Sequence, residues 1–105
     1  MKTEVAILHK DYPNQVRETV EDKLQGLVRF FDRVKSIRAV LERQKGAHRV
    51  EIIANCGRGT VLVADTTGES FAAVLDEGVD RIKSQLKRHH DKVTKDRHKG
   101  GREGH

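Results

Sequence analysis

From residue 71 to residue 93 of this chain, apolar side chains recur at steps of three or four residues, and a histidine takes one of these positions. Such spacing predicts a long α-helix with one apolar side, which another part of the chain must cover. Acidic residues come early in this segment and basic ones late, which complements the helix dipole, and Ser70 is a typical helix N-cap. The residues that form the stripe are Phe71, Leu75, Val79, Ile82, Leu86, His89 and Val93.

The pattern upstream predicts a second amphipathic helix and four short strands. The helix covers about residues 13–31, with Pro13 suited to its first turn. Short apolar or alternating runs predict strands at residues 3–9, 36–43, 49–55 and 60–65. Loops are predicted at residues 44–47, 56–59 and 66–69.

The predicted order is therefore β-α-β-β-β-α. A helix that crosses between the first two strands makes that pair parallel, and the later hairpins are antiparallel. We expect a two-layer α+β domain over residues 1–95, with a four-stranded mixed sheet and both helices on one face. This arrangement is like that of double-stranded-RNA-binding domains. Residues 96–105 hold three glycines and no apolar side chain, and are predicted to be a disordered basic tail.

Length and charge limit the possible functions. A chain of 105 residues suits a single domain, and its one cysteine, Cys56, cannot form an internal disulfide. Without an apolar run that could span a membrane or act as a secretory signal, we expect a cytoplasmic protein. Residues 1–80 hold twelve Lys and Arg against thirteen Asp and Glu, whereas residues 81–105 hold nine against three. This asymmetry favours a polyanionic partner over a solubilising tail.

A helical wheel divides the solvent side of the last helix into two basic flanks. If the apolar stripe packs on the sheet, both flanks face solvent as a rigid positive surface roughly 20 Å long. Arrayed cations of this kind suit the phosphates of a nucleic acid, although an ordinary solvated helix face is the alternative. One flank holds Arg81, Ser84, Arg88, Lys92 and Lys95, and the other holds Lys83, Lys87 and His90.

Other chemistries find little support in the sequence. No aromatic residue lies in a predicted strand, so recognition of RNA by charge and shape is favoured over base stacking on a sheet. His89 and His90 are adjacent and point apart on a helix, and Cys56 has no neighbouring base in sequence. We therefore expect no metal, no cofactor, no small-molecule substrate and no enzymatic activity; the alternative is a small hydrolase or nuclease that uses His89 or Asp76.

Two segments carry a resemblance to a known family. The first runs from Val16-Arg17-Glu18-Thr19-Val20 through Lys23-Leu24 to Phe31-Asp32-Arg33-Val34. The second comprises Ala73-Val74-Leu75-Asp76, Asp80-Arg81-Ile82 and Gln85-Leu86-Lys87-Arg88, followed by Asp91-Lys92. Over about residues 3–95, the chain resembles the short form of the bacterial ribosome hibernation-promoting factors, also called ribosome-associated translation inhibitors.

The resemblance implies a function. Such a protein would bind the small ribosomal subunit and the whole ribosome, occupy the channel for messenger and transfer RNA, and contact ribosomal RNA. As a short form it would lack the additional dimerisation domain of the long forms, and we expect it to be monomeric when free. The rRNA-binding residues implied by the resemblance are Lys23, Arg33, Arg81, Lys87, Arg88 and Lys92; the two basic flanks of the last helix add Lys83, His90 and Lys95.

Three positions depart from the family pattern. Ser84 stands where a basic residue is usual, His90 replaces a usual lysine and would make that contact depend on pH, and Ala72 stands where an aromatic residue is common. The alternative function is a general structured-RNA-binding module or RNA chaperone that acts away from the ribosome.

Overall fold

The elements follow the predicted order. The structure, a computed structural model, describes residues 2–9 and 12–102, with side chains described as far as residue 92. The sequence prediction of a β-α-β-β-β-α domain is confirmed. The elements are β1 (Lys2–Ile7), α1 (Asn14–Phe30), β2 (Ser36–Gln44), β3 (Ala47–Gly57), β4 (Thr60–Gly68) and α2 (Phe71–Arg102).

The four strands form one sheet in chain order, β1-β2-β3-β4. Since α1 carries the chain back across the sheet, β1 pairs with β2 in parallel, while β2–β3 and β3–β4 are antiparallel hairpins. Each hairpin turns on two residues with positive φ, Lys45 (43°) with Gly46 (80°) and Arg58 (55°) with Gly59 (78°). Such two-residue turns match the twist of the strands that they join.

Both helices cover the same face of the sheet, as predicted. Alternate strand residues point toward the helices, so Val50, Ile52 and Ala54 of β3 are fully buried. Helix α1 packs mainly on β1 and β2, and α2 mainly on β3 and β4. The helices therefore form the second layer, and no helix within the described residues covers the opposite face of the sheet.

Near its first turns, the backbone of α2 lies very close to strands β3 and β4. A Cβ added at Gly78 would lie 3.1 Å from Thr66 Oγ1 and 3.4 Å from Ile52 Cδ1. Thr66 is buried, and its hydroxyl donates a hydrogen bond of 2.9 Å to the backbone oxygen of Val74. Ser70 Oγ accepts from the N–H of Ala73 at 3.4 Å, as an N-cap does.

The loop predicted at residues 66–69 is wrong for most of its length. Residues 66–68 belong to β4, where they pair with Val50, Arg49 and His48 of β3. Two consecutive β-branched threonines favour an extended strand, and this preference together with cross-strand pairing prevails over the turn signal of Gly68.

Both helices run in the same direction and reach the end of the sheet that carries the β3–β4 hairpin. The backbone N–H of Lys35, just after α1, donates to Asn55 O at 2.8 Å near this hairpin. Helix α2 continues beyond residue 95, the predicted boundary of the domain, and ends at Arg102. Of the predicted tail, residues 96–105, the last three residues lie outside the described residues.

No helix within the described ranges is long and apolar enough to cross a membrane.

Candidate nucleic-acid interface

The second half of α2 presents cations to solvent. Ile82 and Leu86 are buried against the sheet at 0% and 2% exposure, which fixes the rotation of the helix. The predicted orientation of α2 is thereby confirmed, although the binding role of its cations stays a prediction. The exposed basic side chains of α2 are Arg81, Lys83, Lys87, Arg88, His90 and Lys92, and the side chain of Lys95 lies outside the described residues.

The two flanks of α2 have different neighbours. On one side, Lys83 Nζ lies 6.0 Å from the centroid of the Phe30 ring, so this flank faces the end of α1. On the other, Gln85 Nε2 donates a hydrogen bond of 2.8 Å to Val63 O of β4. Because β4 is an edge strand, this contact satisfies a carbonyl that has no strand partner on that side. Together the two contacts hold the basic face outward.

Two of the predicted contact residues are paired with carboxylates of α2. Arg81 Nη2 lies 2.7 Å from Glu77 Oε2 one helical turn earlier, and Lys23 Nζ of α1 lies 3.4 Å from Asp76 Oδ1. These ion pairs are exposed and screened by salt, so each contributes little to the stability of the fold. They nevertheless reduce the positive potential near the beginning of α2, at the end of the sheet opposite the β3–β4 hairpin.

Three cations form a group without acidic partners. Lys87, Arg88 and Lys92 make no ion pair with any carboxylate among the described side chains. We call these three residues the basic ridge. His90 Nδ1 lies 3.6 Å from Asp91 Oδ1, which is the acid nearest to the ridge along the helix. The ridge is thus an available cluster of charge on a rigid element.

A second basic group surrounds a cleft beside the β3–β4 hairpin. Arg33 lies there, as one of the predicted contact residues, with Lys35 and Arg58, which the sequence analysis missed. Loop cations follow no helical or strand period, so only the folded chain reveals that they come together. We call Arg33, Lys35 and Arg58 the cleft cations. The remaining lining residues are Asp32, Cys56, Gly57, Thr60 and His89.

The cleft shows no sign of nucleophilic chemistry. Burial raises the pKa of the Cys56 thiol, which favours the protonated form over the reactive thiolate. Among the side chains that the structure describes, no three of the His, Cys, Asp and Glu residues are grouped as metal ligands would be. The cleft is lined by three cations, the cleft cations, and by one carboxylate, that of Asp32.

The opposite face of the sheet neutralises its own charge. Arg49 donates hydrogen bonds to Asp65 at 3.0 and 2.6 Å and to Glu42 at 2.9 Å. The hydrogen bonds from Arg49 hold the pKa of Asp65 below its usual value. Arg49 is therefore occupied by acids of its own sheet face, whereas the basic ridge has no such partners among the described side chains.

Comparison with known sequences identifies a family. A family model described as sigma 54 modulation protein / S30EA ribosomal protein matches residues 4–94. A ribosome hibernation promoting factor of Escherichia coli K12 is 30% identical over 78 residues, which span 74% of this chain and 81% of that protein. A factor of the same name from Pseudomonas putida is 26% identical over 92 residues, spanning 88% of this chain and 89% of that protein.

Solved structures show the same fold. A ribosomal subunit interface protein from Coxiella burnetii superposes with a TM-score of 0.75 at 18% identity, covering 87% of this chain and 99% of that one. The N-terminal domain of Protein Y from Thermus thermophilus gives a TM-score of 0.72 at 26% identity, covering 85% and 99%. The two-layer α+β assignment thus agrees with independent structures.

Proposed function

The chain belongs to the sigma 54 modulation protein / S30EA ribosomal protein family, and from this premise we propose that it binds the ribosome and inhibits translation as a hibernation factor. The relatives from E. coli and P. putida bear the name ribosome hibernation promoting factor, which supports this role. The protein would act in the cytoplasm, where ribosomes are, under starvation or in stationary phase. It would do so by occupancy and without catalysing a reaction.

The finer part of the proposal concerns the binding site. The protein, monomeric when free, would lie in the messenger and transfer RNA channel of the small subunit and contact ribosomal RNA. The observation that carries this proposal is the basic ridge, whose three cations are exposed on α2 and lack acidic partners among the described side chains. Phosphates of an RNA strand are the natural partners of such cations, which lie on the two flanks of one helix.

Rigidity adds to the effect of charge. The stripe that includes Ile82 and Leu86 is anchored in the core, so the ridge is held in place before binding. Preorganised cations lose less conformational freedom on binding than cations in a mobile loop. Lys23, Arg33, Arg81, Lys83, His90 and Lys95 complete the proposed contact set, of which Lys23 and Arg81 must exchange their carboxylate partners for phosphate.

The test reverses charge at the ridge. Replacement of Lys87, Arg88 and Lys92 by Glu should abolish co-sedimentation with small subunits and inhibition of translation in vitro, because like charges then face the phosphates. The double variant Arg43→Glu/Lys45→Glu is the control, since both positions lie on or beside the β2–β3 hairpin at the opposite end of the sheet. Circular dichroism should show that both variants fold.

Two results would contradict the proposal. A ridge variant that still binds and inhibits like the wild type would remove the ridge from the site. Equal affinity of the wild type for arbitrary duplex RNA and for ribosomes would instead support a general RNA-binding module.

A further inference from the structure

Phe30, the last residue of α1, is 73% exposed. Its neighbour Phe31 is buried at 7% and belongs to the core. The two rings meet edge to face, with centroids 5.2 Å apart and an angle of 83° between their planes. The core therefore holds Phe31, and Phe31 supports a second ring whose surface is open to solvent.

The Phe30 ring lies near a lysine of α2 and one helical turn after an exposed glycine of α1. Lys83 of α2 places its ammonium group 6.0 Å from the ring centroid. Gly26 precedes Phe30 by one helical turn on the same side of α1, and nothing lies within 4 Å of the position that a Cβ there would occupy. A flat group can thus approach the ring while a phosphate approaches Lys83.

We propose that Phe30 stacks on an exposed base of the RNA that the basic ridge binds. This inference rests on the proposed function and adds an aromatic contact to it. Aromatic side chains stack on unpaired bases, and neighbouring cations contact the backbone of the same strand. The bases of a continuous duplex hide their faces, so the site on the ribosomal RNA must include at least one unstacked nucleotide.

The proposal changes the mode of recognition that the sequence predicts. The absence of aromatic residues from the strands favours charge and shape alone, but the open ring lies at a helix end and not on the sheet. Stacking does not depend on ionic strength as phosphate contacts do, because no counterion is released. This difference gives the two kinds of contact separate signatures.

The first measurement is the affinity for purified small ribosomal subunits at several salt concentrations. We expect Phe30→Leu to weaken binding about tenfold without changing the slope of log K against log salt. Phe30→Tyr should keep the affinity of the wild type, because tyrosine retains a flat ring at this position. Lys87→Gln, in contrast, should reduce the magnitude of this slope by about one, because a phosphate contact is lost. Leu8→Ala, at an apolar side chain that is 60% exposed on another part of the surface, should change neither quantity.

A second measurement detects the stacked base directly. The chain contains no tryptophan, so Phe30→Trp introduces a single tryptophan at the proposed contact. Its emission is measured as the difference from the wild type with the same subunits, because ribosomal proteins carry tryptophans of their own. This emission should be quenched on binding, whereas that of Leu8→Trp should not.

The outcomes separate this inference from the proposed function. If the wild type does not sediment with small subunits, the proposed function fails. If the wild type binds and Phe30→Leu binds equally well, the stacking contact is overturned while the proposed function stands. Full affinity of Phe30→Leu together with a loss in Phe30→Ala would assign the ring to an apolar contact with a ribosomal protein, which also overturns stacking.

Discussion

A basic side chain can bind a polyanion only to the extent that the protein's own acids leave it available. Arg49 is held by Asp65 and Glu42, and Arg81 by Glu77, whereas Lys87 and Arg88 have no carboxylate partner among the described side chains. The sequence shows all of these cations and gives the wheel position of each. It does not show that Arg49 faces two acids across the sheet, because those partners are distant in sequence.

The Arg49–Asp65 pair should make folding stability depend on pH. Because the folded-state pKa of Asp65 lies below its unfolded value, the pair stabilises the folded state above the unfolded pKa of about 3.9. This contribution is lost as the pH falls through the lower, folded-state pKa. Asp65→Asn should therefore be less stable than the wild type at pH 7, with the difference disappearing in acid.

Urea unfolding between pH 7 and pH 2 measures this effect. Asp22→Asn is the matched control, since Asp22 is exposed on α1 and has no ion pair among the described side chains. An identical pH profile for Asp65→Asn and Asp22→Asn would contradict the assignment.

At the scale of the elements, periodicity was sufficient to predict the order and type of all six. The stripes of α1 and α2 and the alternation in β3 each identify a buried side, and the structure buries those sides. The residues that sequence missed lie where no period operates. Lys35 and Arg58 are in or beside loops, and Thr66 extends β4 through pairing with a distant strand.

Two glycines within the helices should respond differently to alanine. Gly26 is exposed with open space around it, so Gly26→Ala should stabilise the protein by about 1 kcal/mol, the difference in helix propensity. Such a gain raises Tm by roughly 4–8 °C in a domain of this size. At Gly78 the new methyl group would lie 3.1 Å from Thr66 Oγ1, which is fixed by its hydrogen bond to Val74. Gly78→Ala should therefore show no gain or a loss in Tm.

Calorimetry of the two single variants is sufficient to decide this point. A similar increase in Tm for both would mean that α2 can move away from the sheet at Gly78 without loss of packing.

At the scale of the whole molecule, the order and direction of the elements place the basic ridge and the cleft cations at the same end of the sheet. Since both helices run toward the β3–β4 hairpin, the end of α1 and the basic half of α2 arrive beside the same turn. His89 of α2 lines the cleft together with Arg33, Lys35 and Arg58, so the basic ridge and the cleft cations adjoin. Asp76 and Glu77 lie at the other end of α2, where they pair with Lys23 and Arg81. The domain is thus electrically polar along its helices.

If the basic ridge and the cleft cations form one RNA-binding surface, neutralisation of either should reduce the salt dependence of ribosome binding. Each lost phosphate contact lowers the slope of log K against log salt by about 0.7–0.9. Arg33→Gln/Lys35→Gln/Arg58→Gln should therefore reduce the slope by about 2, as should Lys87→Gln/Arg88→Gln/Lys92→Gln, with losses that add in the sextuple variant. Arg43→Gln/Lys45→Gln, at the hairpin of the opposite end, should leave the slope unchanged. A cleft variant with the wild-type slope would restrict the surface to α2, because a charge that does not displace counterions makes no phosphate contact.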